Sequence, residues 1–144
     1  MVHRYSRELA RLLRDQNYSE NRIFHYCSSG TPGDRMVNGA FLMGAFMIII
    51  LKMSAEQAYE KFKPYHSMFK HYRDASKGEC FYNCTLLHCL QGLEYGVRFG
   101  WYDFRTFNVK EYEYYERVEN GDLNWIIPNK FVAFMGPIEN RDQG

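Results

Sequence analysis

The sequence lacks an excess of charge of either sign: 18 Lys and Arg stand against 17 Asp and Glu, a net charge of +1. That balance excludes the global field that draws a basic protein to nucleic acid or to an anionic membrane, so any electrostatic function has to be local. Long hydrophobic runs are also missing. The longest, Gly39 to Leu51, is bounded by Arg35 and Lys52 and falls short of the roughly 20 residues that span a bilayer. The N-terminus offers neither a secretory apolar core nor an acid-poor transit peptide, because Glu8 and Asp15 interrupt its basic stretch. Together these absences predict an intracellular protein without membrane or nucleic-acid partners. Cysteine is scarce, four residues in all, which inside a cell predicts reduced thiols and no structural disulfide. No segment is low in complexity and none repeats at a period of 20 to 50 residues, which excludes solenoids and linkers.

What is present is 144 residues of alternating patterns, read as one domain, 1–144. Leu9, Leu12 and Leu13 share a face at helical spacing and predict a first helix over about Tyr5 to Asp15, broken at Asn17 to Asn21. Ile23-Phe24-His25-Tyr26 has the content of a short buried strand, and Ser28 to Gly33 the turn chemistry of a loop. A helix from about Arg35 to Met53, apolar almost all round, belongs inside the fold. Ser54 and Gln57 form a capping box for a short helix ended by Pro64. Leu86, Leu87, Leu90, Leu93 and Val97 mark a helix within Asn83 to Phe99, stopped by Gly100. Val109 to Glu119 reads as helix, with Tyr112 and Tyr115 joining Trp125 in the core. Trp125-Ile126-Ile127 and Phe131 to Phe134 read as strands about a Pro128-Asn129 turn. The class is α/β.

Three stretches are more particular than any of these elements: the acidic-aromatic run Glu111 to Pro128, Tyr72-Arg73-Asp74-Ala75-Ser76, and Tyr82-Asn83-Cys84-Thr85. With them the chain, from about His25 to Pro137, closely resembles the non-catalytic N-terminal domain of the cell-division-cycle-fourteen dual-specificity phosphatases, the mitotic-exit phosphatases. The resemblance implies a dual-specificity-phosphatase-like twisted mixed sheet flanked by helices. Because that family opens with strands ahead of its first helix and continues into a catalytic half, the pattern here is that of a domain cut short at both ends, with an exposed sheet edge or apolar face as the consequence. The tail from Pro137 to Gly144 replaces the usual linker, Ile138-Glu139-Asn140 being its remnant.

The family's His-Cys-x5-Arg phosphate loop is not in the chain. Ile23 to Leu51 has the strand, loop and helix order of such a site, but His25 is followed by Tyr26, and seven residues separate Cys27 from Arg35 where five are required. Cys27, Gly30, Gly33 and Arg35 therefore read as a degenerate phosphate loop without turnover, with weak anion binding at Gly30 to Arg35 as the alternative. No catalytic residue is assigned, and the chain is expected to be inactive alone. His88-Cys89 opens like the signature but meets Tyr95 where arginine is needed, within a helix. Cys80, Cys84, His88 and Cys89 have spacing that raises zinc, yet a structural site draws on two separated ligand pairs, so structural thiols are expected, and neither metal nor cofactor.

The resemblance assigns Asp74 to an acidic groove that receives a basic residue following a phosphoserine-proline site, most of the other carboxylates coming from the catalytic half. A carboxylate there would contribute selectivity. The alternative is that Asp74 caps the next segment or pairs with Arg73. Glu111, Glu113, Glu116 and Glu119 are read as a solvated helix face, with acidic docking as the other reading. The resemblance also implies the partners, a phosphatase catalytic domain and phosphoprotein substrates in cell-cycle control, and a nuclear or cytoplasmic location that includes spindle or centrosome. The rival is a stand-alone pseudophosphatase or interaction module that binds a protein or phosphopeptide.

Overall fold

Helix α1, Val2–Arg14, buries Ser6 and Ala10, one turn apart, rather than its leucines. Small side chains on that face let α1 lie against the next helix. Leu9 and Leu12 are left half-buried beside the contact and Leu13 mostly exposed. In this computed structural model residues 1–27, 34–74 and 78–136 are described; the expected loop at 28–33, Ala75-Ser76 and the tail 137–144 lie outside them. The described residues divide into two compact units, Met1–Phe99 and Gly100–Gly144.

In the first unit the expected internal helix is α2, Asp34–Ile49. Val37, Ala40, Ala45, Phe46, Ile48 and Ile49 are buried on several sides of it, as an all-round apolar pattern requires. The chain reverses through Lys52, whose φ of 58° is left-handed. Ser54 then caps α3, Ala55–Glu60: its Oγ accepts from Gln57 N–H at 3.1 Å, and Gln57 Oε1 accepts from Ser54 N–H at 3.0 Å. The same helix start receives a long-range cap, Ala55 N–H donating to Glu94 Oε2 at 2.9 Å. A 3-10 turn, Lys63–Met68, takes Pro64 in its first turn and stacks His66 on Tyr59 at 3.8 Å. Tyr72 and Cys84 then form an isolated antiparallel bridge, exchanging N–H to carbonyl bonds of 2.8 and 3.1 Å.

Helix α4, Leu86–Arg98, packs on both α2 and α3. Val37, Ala40, Ile48, Ala55, Ala58, Leu86 and Leu90 make one core, flanked by Phe41, Tyr59, Phe62, Phe69, Tyr72 and Leu93. Gly44 of α2 faces Leu90: a Cβ there would come within 2.7 Å of Leu90 Cδ2, so the close approach of α2 and α4 depends on the missing side chain.

The second unit begins at Gly100, whose φ of 71° follows the end of α4. Asn108 caps α5, Val109–Tyr115, by accepting from Glu111 N–H at 3.2 Å. The expected helix is therefore shorter, giving way to a 3-10 turn, Val118–Asn120, and to Gly121 at φ 108°. Strands β1, Leu123–Ile127, and β2, Phe131–Phe134, pair antiparallel with Trp125 opposite Val132, and Asn129 at φ 61° turns the hairpin as its sequence predicted.

Two expectations are corrected. Ile23 to Tyr26 is not a strand; it joins no ladder, and Phe24 and Tyr26 are 80% and 85% exposed. Apolar composition favours a strand only where a neighbouring strand takes up its backbone groups. Tyr115 and Trp125 do not enter a core either, since they are 39% and 53% exposed. Tyr112 packs instead on Phe107, at 5.5 Å between ring centroids, and Phe107 on Tyr102 at 5.4 Å. The chain is α/β in content, and the sheet among its described residues is this one hairpin.

Candidate functional site

The extended residues leading to Cys27 run beside α1 and α2 and bring three distant positions together. Tyr5 Oη and His25 Nδ1 are hydrogen-bonded at 3.0 Å, their rings edge-on. His25 Nε2 lies 3.9 Å from Cys27 Sγ. Burial, and then the charge of Cys27, hold the Tyr5 phenol above its usual range, so it is protonated at neutral pH and can donate to Nδ1. Gly39 of α2 makes the room: a Cβ at that position would overlap Cys27 Sγ and meet His25 Nε2 at 3.2 Å.

Of the degenerate phosphate loop, Cys27 is exposed beside His25 and Arg35 is exposed in the first turn of α2, while Gly30 and Gly33 lie outside the described residues. The described geometry gives Cys27 a histidine partner and a glycine wall. A cysteine phosphatase surrounds its thiolate with backbone N–H groups and an arginine. Tyr5 and Gly39 were not singled out by pattern; the signal for Gly39 was a glycine within an otherwise apolar helix. Beside this cluster, Leu9, Leu12 and Leu13 of α1, Ile23 and Phe24, and Met43 and Phe46 of α2 line an open apolar groove of about 320 Å³.

Asp74 is exposed, two residues beyond the Tyr72 to Cys84 bridge. The neighbouring Arg73 guanidinium donates to the Gly78 carbonyl at 2.6 Å, across the mouth of the same loop. His88 is the third residue of α4 and works as a cap: its Nδ1 accepts from Thr85 N–H at 3.3 Å, while Thr85 Oγ1 accepts from His88 N–H at 3.2 Å. Among the described residues no three or more His, Cys, Asp or Glu side chains converge as a metal site. On α5, Glu111 closes the Asn108 cap through Asn108 Nδ2 at 3.2 Å, and Glu116 accepts from the Tyr112 hydroxyl at 3.3 Å. Two carboxylates of the acidic run therefore serve the helix itself. No described helix is long and apolar enough to cross a membrane.

Comparison with known proteins gives a family match over residues 1–96, to the model described as dual specificity protein phosphatase, N-terminal half. The dual specificity protein phosphatase CDC14A of Mus musculus is 46% identical over 138 residues, covering 95% of this chain and 23% of that protein. CDC14B of Mus musculus is 38% identical, with 95% of this chain and 28% of that protein covered. The tyrosine-protein phosphatase cdc-14 of Caenorhabditis elegans is 40% identical, with 95% and 20% covered. The chain thus spans roughly a quarter of the length of these relatives.

Proposed function

The chain belongs to the dual specificity protein phosphatases, matching their N-terminal half, and on that premise we propose that it is a non-catalytic module that packs on a phosphatase catalytic domain and helps select phosphoserine-proline substrates in cell-cycle control. One observation carries the reading. In the described part of the second unit no side chain is fully buried, and Trp125, Ile126, Phe131, Val132 and Phe134 of the hairpin are exposed. A two-stranded hairpin alone is marginally stable in water, and apolar residues exposed on both of its strands indicate a covering partner. The catalytic half of the relatives is the partner of this reading. The wider twisted sheet expected of the fold would be completed in that assembly, with Ile23 to Tyr26 paired there, and the assembly would act inside the cell, in nucleus and cytoplasm or at spindle and centrosome.

The test is to titrate the chain into a separately produced catalytic half of a CDC14-type phosphatase and measure association by calorimetry. Binding is expected, and the double change Trp125→Ala and Phe131→Ala should weaken it by about tenfold or more, as loss of aromatic anchors does. Absence of binding by the unmodified, folded chain would overturn the reading. The apolar groove beside Cys27 favours a second reading, an interaction module that binds a partner without hydrolysis. Phosphopeptide binding that disappears in Arg35→Ala would support it.

A further inference from the structure

Cys84 and Cys89 stand at the junction between the Tyr72 to Cys84 bridge and the first turn of α4, and their sulfurs are 3.5 Å apart. Both are half-buried free thiols. Their side chains have no part in capping the helix, since Thr85 and His88 supply both halves of the box. We propose that Cys84 and Cys89 are an oxidative modification site, closing to an intrachain disulfide when a peroxide supplies the oxidant.

The backbone is already set for closure. Cys84 is held by its two bonds to Tyr72, and Cys89 N–H donates to Thr85 O at 3.1 Å. A disulfide needs about 2.05 Å between sulfurs, so the pair must approach by about 1.5 Å, within reach of side-chain rotation. The other two cysteines are directed elsewhere, Cys80 Sγ to Tyr82 O at 3.1 Å and Cys27 to His25.

Burial first, then the hydrogen bond and charge of Cys84, hold the Cys89 thiol above its usual range. Cys84, fixed at the bridge to Tyr72, is taken as the attacking sulfur. Its thiolate takes one peroxide oxygen, breaking the O–O bond; it becomes a sulfenic acid, and the other oxygen leaves as water or alcohol. A neutral sulfenic acid no longer opposes ionisation of Cys89 by charge. Cys89 then attacks the Cys84 sulfur, the S–S bond forms, and hydroxide leaves with a proton as the final water. Two thiols have lost two hydrogens and the peroxide has gained two electrons. Because the ring so closed is short, the effect on global stability is small and the effect is local. The bridge clips the foot of the loop that carries Asp74 to the core helix α4.

The test uses the full chain. After hydrogen peroxide treatment and alkylation with iodoacetamide, trypsin releases residues 78–98, which hold Cys80, Cys84 and Cys89. One alkyl group, on Cys80, is expected in place of three, with a loss of about 2 Da for the bridged pair; dithiothreitol should restore all three. Cys80→Ser should keep the bridge and Cys84→Ser should abolish it. In Cys89→Ser a dimedone adduct should appear at Cys84. Alkylation of Cys84 and Cys89 that survives peroxide, or a bridge that recruits Cys80, Cys27 or a second chain, would overturn the proposal. The unmodified chain decides this even if a variant fails to fold.

Discussion

At the residue scale, the cysteines divide by what their side chains touch. Cys27, Cys84 and Cys89 are all cysteines near a histidine in sequence, yet Cys27 meets His25 in an exposed cluster and the other two meet each other. Asp74 is exposed, beside an arginine that donates to the Gly78 carbonyl. In an enzyme assembled with its catalytic half, Asp74→Ala should lower kcat/KM by about two- to fivefold for phosphoserine-proline peptides with a following lysine, in line with the value of one exposed ion pair. Peptides with alanine in place of that lysine should be turned over unchanged. Equal losses for both peptides would remove Asp74 from selectivity. The Tyr5 to His25 contact is not legible in the sequence, because it joins residues twenty positions apart and only the folded chain brings them together.

At the scale of elements, caps and apolar spacing were the most legible features. Ser54 and Gln57 form the expected box, because a cap is made by residues three apart whose geometry follows from starting a helix. Leu86, Leu90 and Leu93 face the core as their spacing requires. Substitutions at these two kinds of position should differ in size. Ser54→Ala should cost about 1 kcal/mol. Leu90→Ala, at a side chain with no solvent exposure and wedged against Gly44, should cost about 2–5 kcal/mol. Urea titration with a common slope measures both, and a Leu90→Ala loss no larger than that of Ser54→Ala would place the core elsewhere. On α1 the leucine spacing marks an apolar stripe, whereas the buried contact runs through Ser6 and Ala10, since small residues permit the closest approach to α2.

At the scale of the whole molecule, two units of different character share one chain. The first has seven buried residues in one cluster, whereas the described part of the second rests on a capped short helix, an aromatic column and a hairpin without a fully buried side chain. Local stability should follow that division. Hydrogen exchange read by mass spectrometry should find the amides of Leu123–Ile127 and Phe131–Phe134 exchanging about a hundredfold or more faster than those of α4, and slowing when a catalytic half is added. Equal protection in the free chain would mean that the hairpin needs no cover. By itself the sequence determined the family, through particular runs such as Tyr72 to Ser76 and Tyr82 to Thr85, with Glu111 to Pro128 matching the CDC14 relatives, and the helices, caps and hairpin, because each of these depends on residues close along the chain. Tertiary structure alone decided which face of α1 is buried, that Ile23 to Tyr26 remains unpaired, and which thiols meet. These outcomes turn on how closely separate segments approach and on whether a neighbouring strand is there to pair, and neither is written in local spacing.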